Sequence, residues 1–318
     1  MERYRIKGAD AEAEAFITRW FDDSDYIAAH TSGSTGTPKE IRLLKSDMRA
    51  SARATNKRFG IAELSRLLCP LSASYIAGKM MIVRAIEAGC ELIIEKPSNR
   101  PMSEDYGEID LMAVVPSQCT SLLENETAHR QLKNLIVGGA PIAADAERRL
   151  KEMPWKSFAT YGMTETCSHV ALRRCGEELY EAMPGITFST DERNCLIITA
   201  PLFSFGELIT NDVISLEDSR HFRWCGRYDN VINSGGVKLY PEMIEKKLDG
   251  VMPTPFYIHP VSDEKWGTSV GLTIERCGLN AAEIIGLCRS CLSPYEVPKH
   301  VSIVAELPRT ANGKIKRY

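Results

Sequence analysis

Short, mostly apolar runs alternate, over the first 200 residues, with segments in which apolar residues recur three and four apart. The runs at residues 26–29, 67–71, 91–95, 111–115, 132–137 and 196–199 have the length of buried strands. The segments at 12–20, 45–59, 76–87 and 144–151 have helical spacing, and 45–59 contains neither Gly nor Pro. Strands alternating with helices predict an α/β fold. From about Gly206 the pattern changes to β-branched residues and turns, followed by helical spacing at 241–248 and 281–292 and strand-like runs at 254–259 and 271–274. This predicts a small α+β domain of about 90 residues at the C-terminal end. The expected organisation is a large domain over 1–226, a hinge at 227–229 and a small domain over 230–318.

Composition narrows the function classes. The chain has 318 residues, 44% hydrophobic and 25% charged, which is enough to bury a core. A formal net charge of −3 gives no basic footprint for nucleic acid, and no apolar stretch approaches the about 20 residues a bilayer span needs. The N-terminus is charged and lacks an apolar signal core, and the 10 cysteines are scattered, so a cytoplasmic protein with reduced thiols is expected. The only close pair, Cys288 and Cys291, has no second pair or nearby His to complete a zinc site, and reads as two helical cysteines.

Four segments carry candidate chemistry. The loop from His30 to Lys39, HTSGSTGTPK, follows a short strand. Its glycines permit close backbone approach, its hydroxyls donate to anionic oxygens and Lys39 supplies charge, a combination suited to a polyphosphate. It is not a Walker A loop, because no Gly-Lys-Ser/Thr follows. The second segment, TYGMTE over 160–165, offers an aromatic for stacking and hard oxygen ligands for a metal, and reads equally as a turn capping a helix. The third runs from Gly226 to Glu242, with Arg227 as a fork of donors and Gly235-Gly236 in a tight turn before Pro241. The fourth, LPRTANGKIKR at the C-terminus, places Lys314 after an Asn-Gly turn signal.

In this order the four segments resemble the adenylate-forming superfamily of acyl-CoA synthetases, nonribosomal-peptide adenylation domains and firefly luciferase, over residues 28–318. The resemblance implies the adenylate-forming α/β fold and an enzyme that joins a carboxylate to the α-phosphate of ATP, releases pyrophosphate, and passes the acyl group to a thiol, usually that of CoA. It implies that Thr31, Ser32, Gly33, Ser34, Thr35, Gly36 and Lys39 surround the β- and γ-phosphates, that Thr164 touches the α-phosphate and that Glu165 holds Mg²⁺. Tyr161 would stack on adenine against Gly139, Ala140 and Pro141, while Asp212 and Arg227 would grip the ribose. Asp229 falls at the hinge, Lys314 bridges the carboxylate and the α-phosphate, and Gly235 and Gly236 line the thiol tunnel after the small domain turns. Two departures stand out. The phosphate loop begins as early as Thr31, so most of an N-terminal subdomain is expected to be missing, with a homo-oligomer covering the apolar surface this would expose. Asn211 also stands where the family has a glycine before the ribose aspartate.

The acid pocket is expected along Tyr75, Lys79, Arg84, Ser168 and His169. Lys79 and Arg84 are either two solvated cations or a pocket cation that binds a second substrate carboxylate. The strings YIAGKMM and YGMTETCSHVAL resemble the bacterial o-succinylbenzoate–CoA ligases of menaquinone biosynthesis. That resemblance implies an aromatic keto-dicarboxylic acid as substrate, with ATP and CoA as the other small-molecule partners, and neither nucleic acid nor membrane insertion. Another acid–CoA ligase, an adenylation domain that loads a carrier protein, and a non-catalytic nucleotide-binding relative remain open.

Overall fold

The protein is described from a computed structural model, over residues 4–30, 40–309 and 315–317. The chain divides into two units. The first comprises Met1–Phe188, Ile198–Leu208 and Glu217–Phe222, and the second Ser189–Ile197, Ile209–Leu216 and Arg223–Tyr318.

The first unit is built on a parallel sheet whose strands run Arg5–Lys7, Glu91–Ile94, Arg66–Cys69, Leu111–Val114, Asn134–Val137 and Lys156–Gly162. Glu91–Ile94 and Leu111–Val114 are buried at every residue, as strands covered on both faces must be, and this is why 92–94 and 111–114 read as unbroken apolar runs. Beyond Lys156–Gly162 the sheet turns antiparallel through His169–Arg174 and Tyr180–Ala182, where Tyr180 and Glu181 pair with Phe222 and His221. The core between sheet and helices gathers Leu68, Met112, Val114, Leu122, Leu135 and Trp155.

Helices Lys45–Phe59 and Ile76–Ala88 end at Gly60 and Gly89, both in the left-handed conformation that favours glycine at a helix C-terminus. Asn56 ties the two together by donating to the Arg84 carbonyl at 2.9 Å. The expected helices and apolar strands are present, with ends shifted by a few residues. Unforeseen elements are the polar ones. The strand Glu40–Leu44 alternates charged and apolar residues, Lys156–Gly162 and His169–Arg174 carry cations and small polar residues, and helices Pro116–Leu123 and Glu126–Gln131 are short.

In the second unit, strands Phe256–Asp263 and Gly267–Glu275 pair antiparallel, and His300–Val304 joins parallel to the latter. Helices Pro241–Leu248 and Ala281–Cys291 supply Ile244, Leu248, Ile284 and Cys288 to the same core as Ile258, Val270, Leu272 and Ile274. Asn280 and Glu283 close a reciprocal cap at the start of Ala281–Cys291, within which Cys288 is buried and Cys291 exposed. Strands Ile232–Ser234 and Val237–Leu239 form a hairpin around Gly235 and Gly236, whose φ values of 58° and 86° suit a two-residue turn. Among the described residues no helix is long and apolar enough to cross a membrane.

One glycine sets the geometry of the first unit's polar loop. A Cβ on Gly162 would run into the Ser168 carbonyl oxygen and lie 2.6 Å from the His169 Cα. Gly162→Ala is therefore expected to destabilise the fold by about 1–3 kcal/mol, measured by urea unfolding; an unchanged midpoint would contradict this close approach.

Candidate functional site

In the first unit, Tyr161 lies near the C-terminal end of Lys156–Gly162, and residues 138–141 follow the C-terminal end of the neighbouring strand Asn134–Val137. Ligands of open α/β sheets bind beyond these strand ends. Tyr161 is half-buried and held edge-on by Phe222 at 5.2 Å and Tyr180 at 5.8 Å, which stack on each other at 5.3 Å. Gly139, Ala140 and Pro141 are exposed. Gly138 sits so close to the Thr160 side chain that a Cβ would collide with it, and Thr160 itself bonds the Val137 carbonyl at 3.2 Å.

The next residues form a tight turn. Thr164–Thr166 is a single 3-10 turn, with the buried Thr166 hydroxyl bonded to the Met163 carbonyl at 2.9 Å and the Ser168 carbonyl at 2.7 Å. Cys167 adopts a positive φ of 61°, unusual for a side-chain-bearing residue, and burial pushes its thiol up to about 12. The strained turn leaves Glu165 exposed and directs Ser168 and His169 inward.

The inward side is a polar cluster in an apolar setting. Arg84, from helix Ile76–Ala88, is 2% exposed. Its Nη2 donates to Ser168 Oγ at 2.7 Å and its Nη1 meets the Met81 sulfur at 3.3 Å, while its Nε has no partner among the described residues. No carboxylate among the described residues pairs with it. Burial brings the guanidinium down to about 10, so it remains a cation at neutral pH. His169 bonds Ser168 Oγ through Nδ1 at 3.3 Å and Thr55 Oγ1 through Nε2 at 3.3 Å. Because Thr55 donates its own proton to the Ser51 carbonyl, the network assigns His169 the Nε2–H tautomer, with Ser168 donating to Nδ1. Desolvation, with a smaller push from Arg84, holds the imidazole well below its usual range.

The other expected pocket residues lie outside this cluster. Tyr75 is exposed at the helix N-cap, and Lys79 donates to the Ser74 carbonyl at 3.1 Å. Burial lowers the Lys79 ammonium, with Glu12 opposing.

Thr55 and Asn56 were not foreseen. The readable signal was the buried face of helix Lys45–Phe59, where Ser51, Thr55 and Asn56 share a stripe with Met48 and Ala52.

In the second unit, Asp212 is 6% exposed and accepts from Trp224 Nε1 at 3.2 Å. Arg227 stands between Asp212 at 3.7 Å and Asp229 at 3.6 Å. Asn211, the departure from the family glycine, accepts from Arg193 at 3.1 Å and donates to Asp229 at 3.4 Å. Gly235 packs against the Trp266 ring, and its N–H donates to the Trp266 carbonyl at 3.1 Å. Thr31, Ser32, Gly33, Ser34, Thr35, Gly36, Lys39 and Lys314 lie outside the described residues.

Residues 9–193 match the AMP-binding enzyme model, and residues 256–314 match the AMP-binding enzyme C-terminal domain. The chain belongs to the AMP-binding enzyme family.

Among solved relatives of this AMP-binding enzyme is an acyl-CoA synthetase (AMP-forming)/AMP-acid ligase II-like protein from Dyadobacter fermentans. It is 35% identical, with a TM-score of 0.65, over 96% of this chain and 92% of that one. The 2-succinylbenzoate–CoA ligase of Listeria monocytogenes is 26% identical over 97% of this chain and 72% of its own length. The o-succinylbenzoate CoA synthetase of Bacillus subtilis, solved with its acyl-adenylate intermediate, shares the fold at a TM-score of 0.78 and 22% identity, over 91% of this chain and 67% of that one.

The buried imidazole of this AMP-binding enzyme has a measurable consequence. Its folded-state pKa lies below the unfolded value of about 6.5, so the unfolded chain binds the extra proton and stability falls as pH drops below about 6.5. His169→Gln is expected to remove a part of the acid-side loss worth up to about 1.4 kcal/mol per pH unit, read from urea unfolding at several pH values. Parallel pH profiles for the two proteins would contradict the buried neutral imidazole.

Proposed function

We propose that this enzyme is an ATP-dependent acid–CoA ligase whose acid carries a second carboxylate, with o-succinylbenzoate the best-supported substrate. The observation that carries the reading is Arg84. A buried cation without a protein carboxylate is costly, and a substrate anion that enters beside it relieves that cost. Ser168 already accepts from Arg84 and donates to His169, so the guanidinium's remaining donors are left for the ligand. The neutral imidazole adds a polar wall without a competing charge. The named activities of the Listeria and Bacillus relatives support the same class of acid.

The proposed reaction has two displacements. An oxygen of the substrate's other carboxylate attacks the α-phosphorus of ATP and pyrophosphate leaves. The CoA thiol then attacks the acyl carbon, its proton passes to solvent and AMP leaves. The difficulty in the first step is an anion approaching a polyanion, so catalysis is positioning and charge neutralisation. Tyr161 with residues 138–141 would bind the base, Asp212 and Arg227 the ribose, the 31–36 loop with Lys39 the outer phosphates, and Thr164 and Lys314 the α-phosphate. A single exposed carboxylate, Glu165, suits Mg²⁺, which takes most of its ligands from phosphates and water. When bound, the ion would neutralise phosphate charge. The large domain over 1–226, the hinge at 227–229 and the small domain over 230–318 would let Lys314 withdraw so that the thiol can approach past Gly235 and Gly236. A cytoplasmic location fits these soluble substrates.

A panel of acids assayed for pyrophosphate release, with and without CoA, tests the reading. Turnover with o-succinylbenzoate that consumes CoA is expected. Activity confined to fatty or simple aromatic acids would overturn the dicarboxylate and leave the ligase. Pyrophosphate release without CoA consumption would point to carrier-protein loading. In Arg84→Ala the KM for the dicarboxylate is expected to rise by about 10–100-fold, the range of a lost charged hydrogen bond, with a much smaller change for a monocarboxylate. Lys314→Ala is expected to lose most adenylation while a preformed acyl-adenylate still reacts with CoA; equal losses in both steps would contradict the two-state use of the small domain.

A further inference from the structure

The C-terminal end of the second unit is seated on a pair of carboxylates. Glu242 and Glu245 lie one turn apart on helix Pro241–Leu248, with side chains only 10% and 19% exposed. Arg317 Nη2 donates to Glu245 Oε2, and its Nη1 lies 3.6 Å from Glu242 Oε1. The rest of the seat is fixed from other elements. Glu245 Oε1 accepts the Ile258 N–H at 2.7 Å, and Glu242 Oε1 accepts from Asn230 at 2.5 Å. Glu242 Oε2 is buried without a partner among the described residues, against Gly226, where a Cβ would strike it. Burial and the neighbouring Glu242 push Glu245 up, to about 7, while Arg317 and the Ile258 N–H pull it back. Without the guanidinium that rise would go further and Glu245 would hold its proton.

A second anchor lies at the other side of the segment 310–314. Arg309 pairs antiparallel with Ile315, and the Lys316 N–H donates to the Pro308 carbonyl at 2.8 Å. Glu275, at the end of strand Gly267–Glu275, accepts from the Leu307 N–H at 3.1 Å and from Arg309 at 3.3 Å. The residues flanking the segment are thus held to two different elements of the same unit, by carboxylates on both sides.

We propose that Arg317 is a positioning residue for the acid-activating step: seated on Glu242 and Glu245, it fixes the C-terminal side of the segment that carries Lys314, as Glu275 fixes the N-terminal side. The inference rests on the assignment of Lys314 to that step. The chemistry demands such a device. A lysine on a long side chain must meet two reacting oxygens at once, and a misplacement of about 1 Å can cost about 100-fold in rate. A guanidinium with two carboxylates also gives the chain end a defined register that a single surface pair would not.

The test compares Arg317→Ala, Arg317→Lys and Lys314→Ala in the full-length protein. Acid-dependent ATP–pyrophosphate exchange reports activation, and a preformed acyl-adenylate with CoA reports transfer. Arg317→Ala is expected to lower the exchange kcat by about tenfold or more, with the KM for ATP and the transfer rate within about twofold of the parent. Arg317→Lys, which keeps the charge, should recover much of the loss. Limited trypsin digestion gives a readout free of activity: cleavage after Lys314 and Lys316 should accelerate about tenfold in Arg317→Ala, because cutting follows local opening, while sites elsewhere in the unit keep their rates. Full exchange activity, equal losses in both steps, or unchanged cleavage would each overturn the proposal. Lys314→Ala separates the failures. If it loses exchange while Arg317→Ala does not, the positioning role alone falls; if it keeps exchange, the assignment of Lys314 falls and the proposal with it.

Discussion

A buried guanidinium has to be answered by an anion, and in the first unit no described side chain provides one. Arg84 is held by a hydroxyl and a thioether, and its Nε is unpartnered. The elements around it are arranged to keep it there. Helix Ile76–Ala88 carries it, helix Lys45–Phe59 fixes its backbone through Asn56, and the turn after Gly162 brings Ser168 and His169 over it. Each partner that might have neutralised the charge is itself neutral. Such an arrangement is unfavourable for folding alone and would become favourable if a carboxylate arrived beside it, which is the ground for proposing it as a device for selecting a ligand.

The same electrostatic problem recurs at the proposed reaction centre, where a carboxylate and a polyphosphate must meet. There the proposed answer is spread over cations and hydroxyls from segments far apart in sequence. In the second unit, Arg227 stands between two aspartates and Arg317 beside two glutamates. Each guanidinium is oriented by carboxylates on either side, which suits groups that must hold a direction more than groups that add stability. Asn211, by bonding both Arg193 and Asp229, extends the first of these networks in a way that a glycine at that position could not.

Much of this was legible in the sequence, for reasons that differ from element to element. Strands such as Leu111–Val114 lie under cover on both faces, and their unbroken apolar runs announced it. Helix Lys45–Phe59 was readable from its spacing and from the lack of Gly and Pro within it. Lys156–Gly162 and His169–Arg174 were not, because Lys156, His169, Arg173 and Arg174 break the strand pattern that betrays a core. The four motifs could be ordered along the chain without coordinates. The choice between Lys79 and Arg84 could not be made that way, since both are cations on one helix; burial separates them, leaving Lys79 on a backbone carbonyl near its own turn and Arg84 inside. Thr55 and Asn56 escaped notice because polar residues on a helix read as its wet side unless their spacing is followed around the buried stripe.

The central claim is that the charge of Arg84 is reserved for a second carboxylate on the substrate. Calorimetric titration of the unmodified protein with o-succinylbenzoate and with the same acid lacking its ring carboxyl group addresses it directly. The account predicts that losing that one group weakens binding by about tenfold or more, the order of a buried charge-assisted hydrogen bond. Equal affinity for the two acids would contradict it.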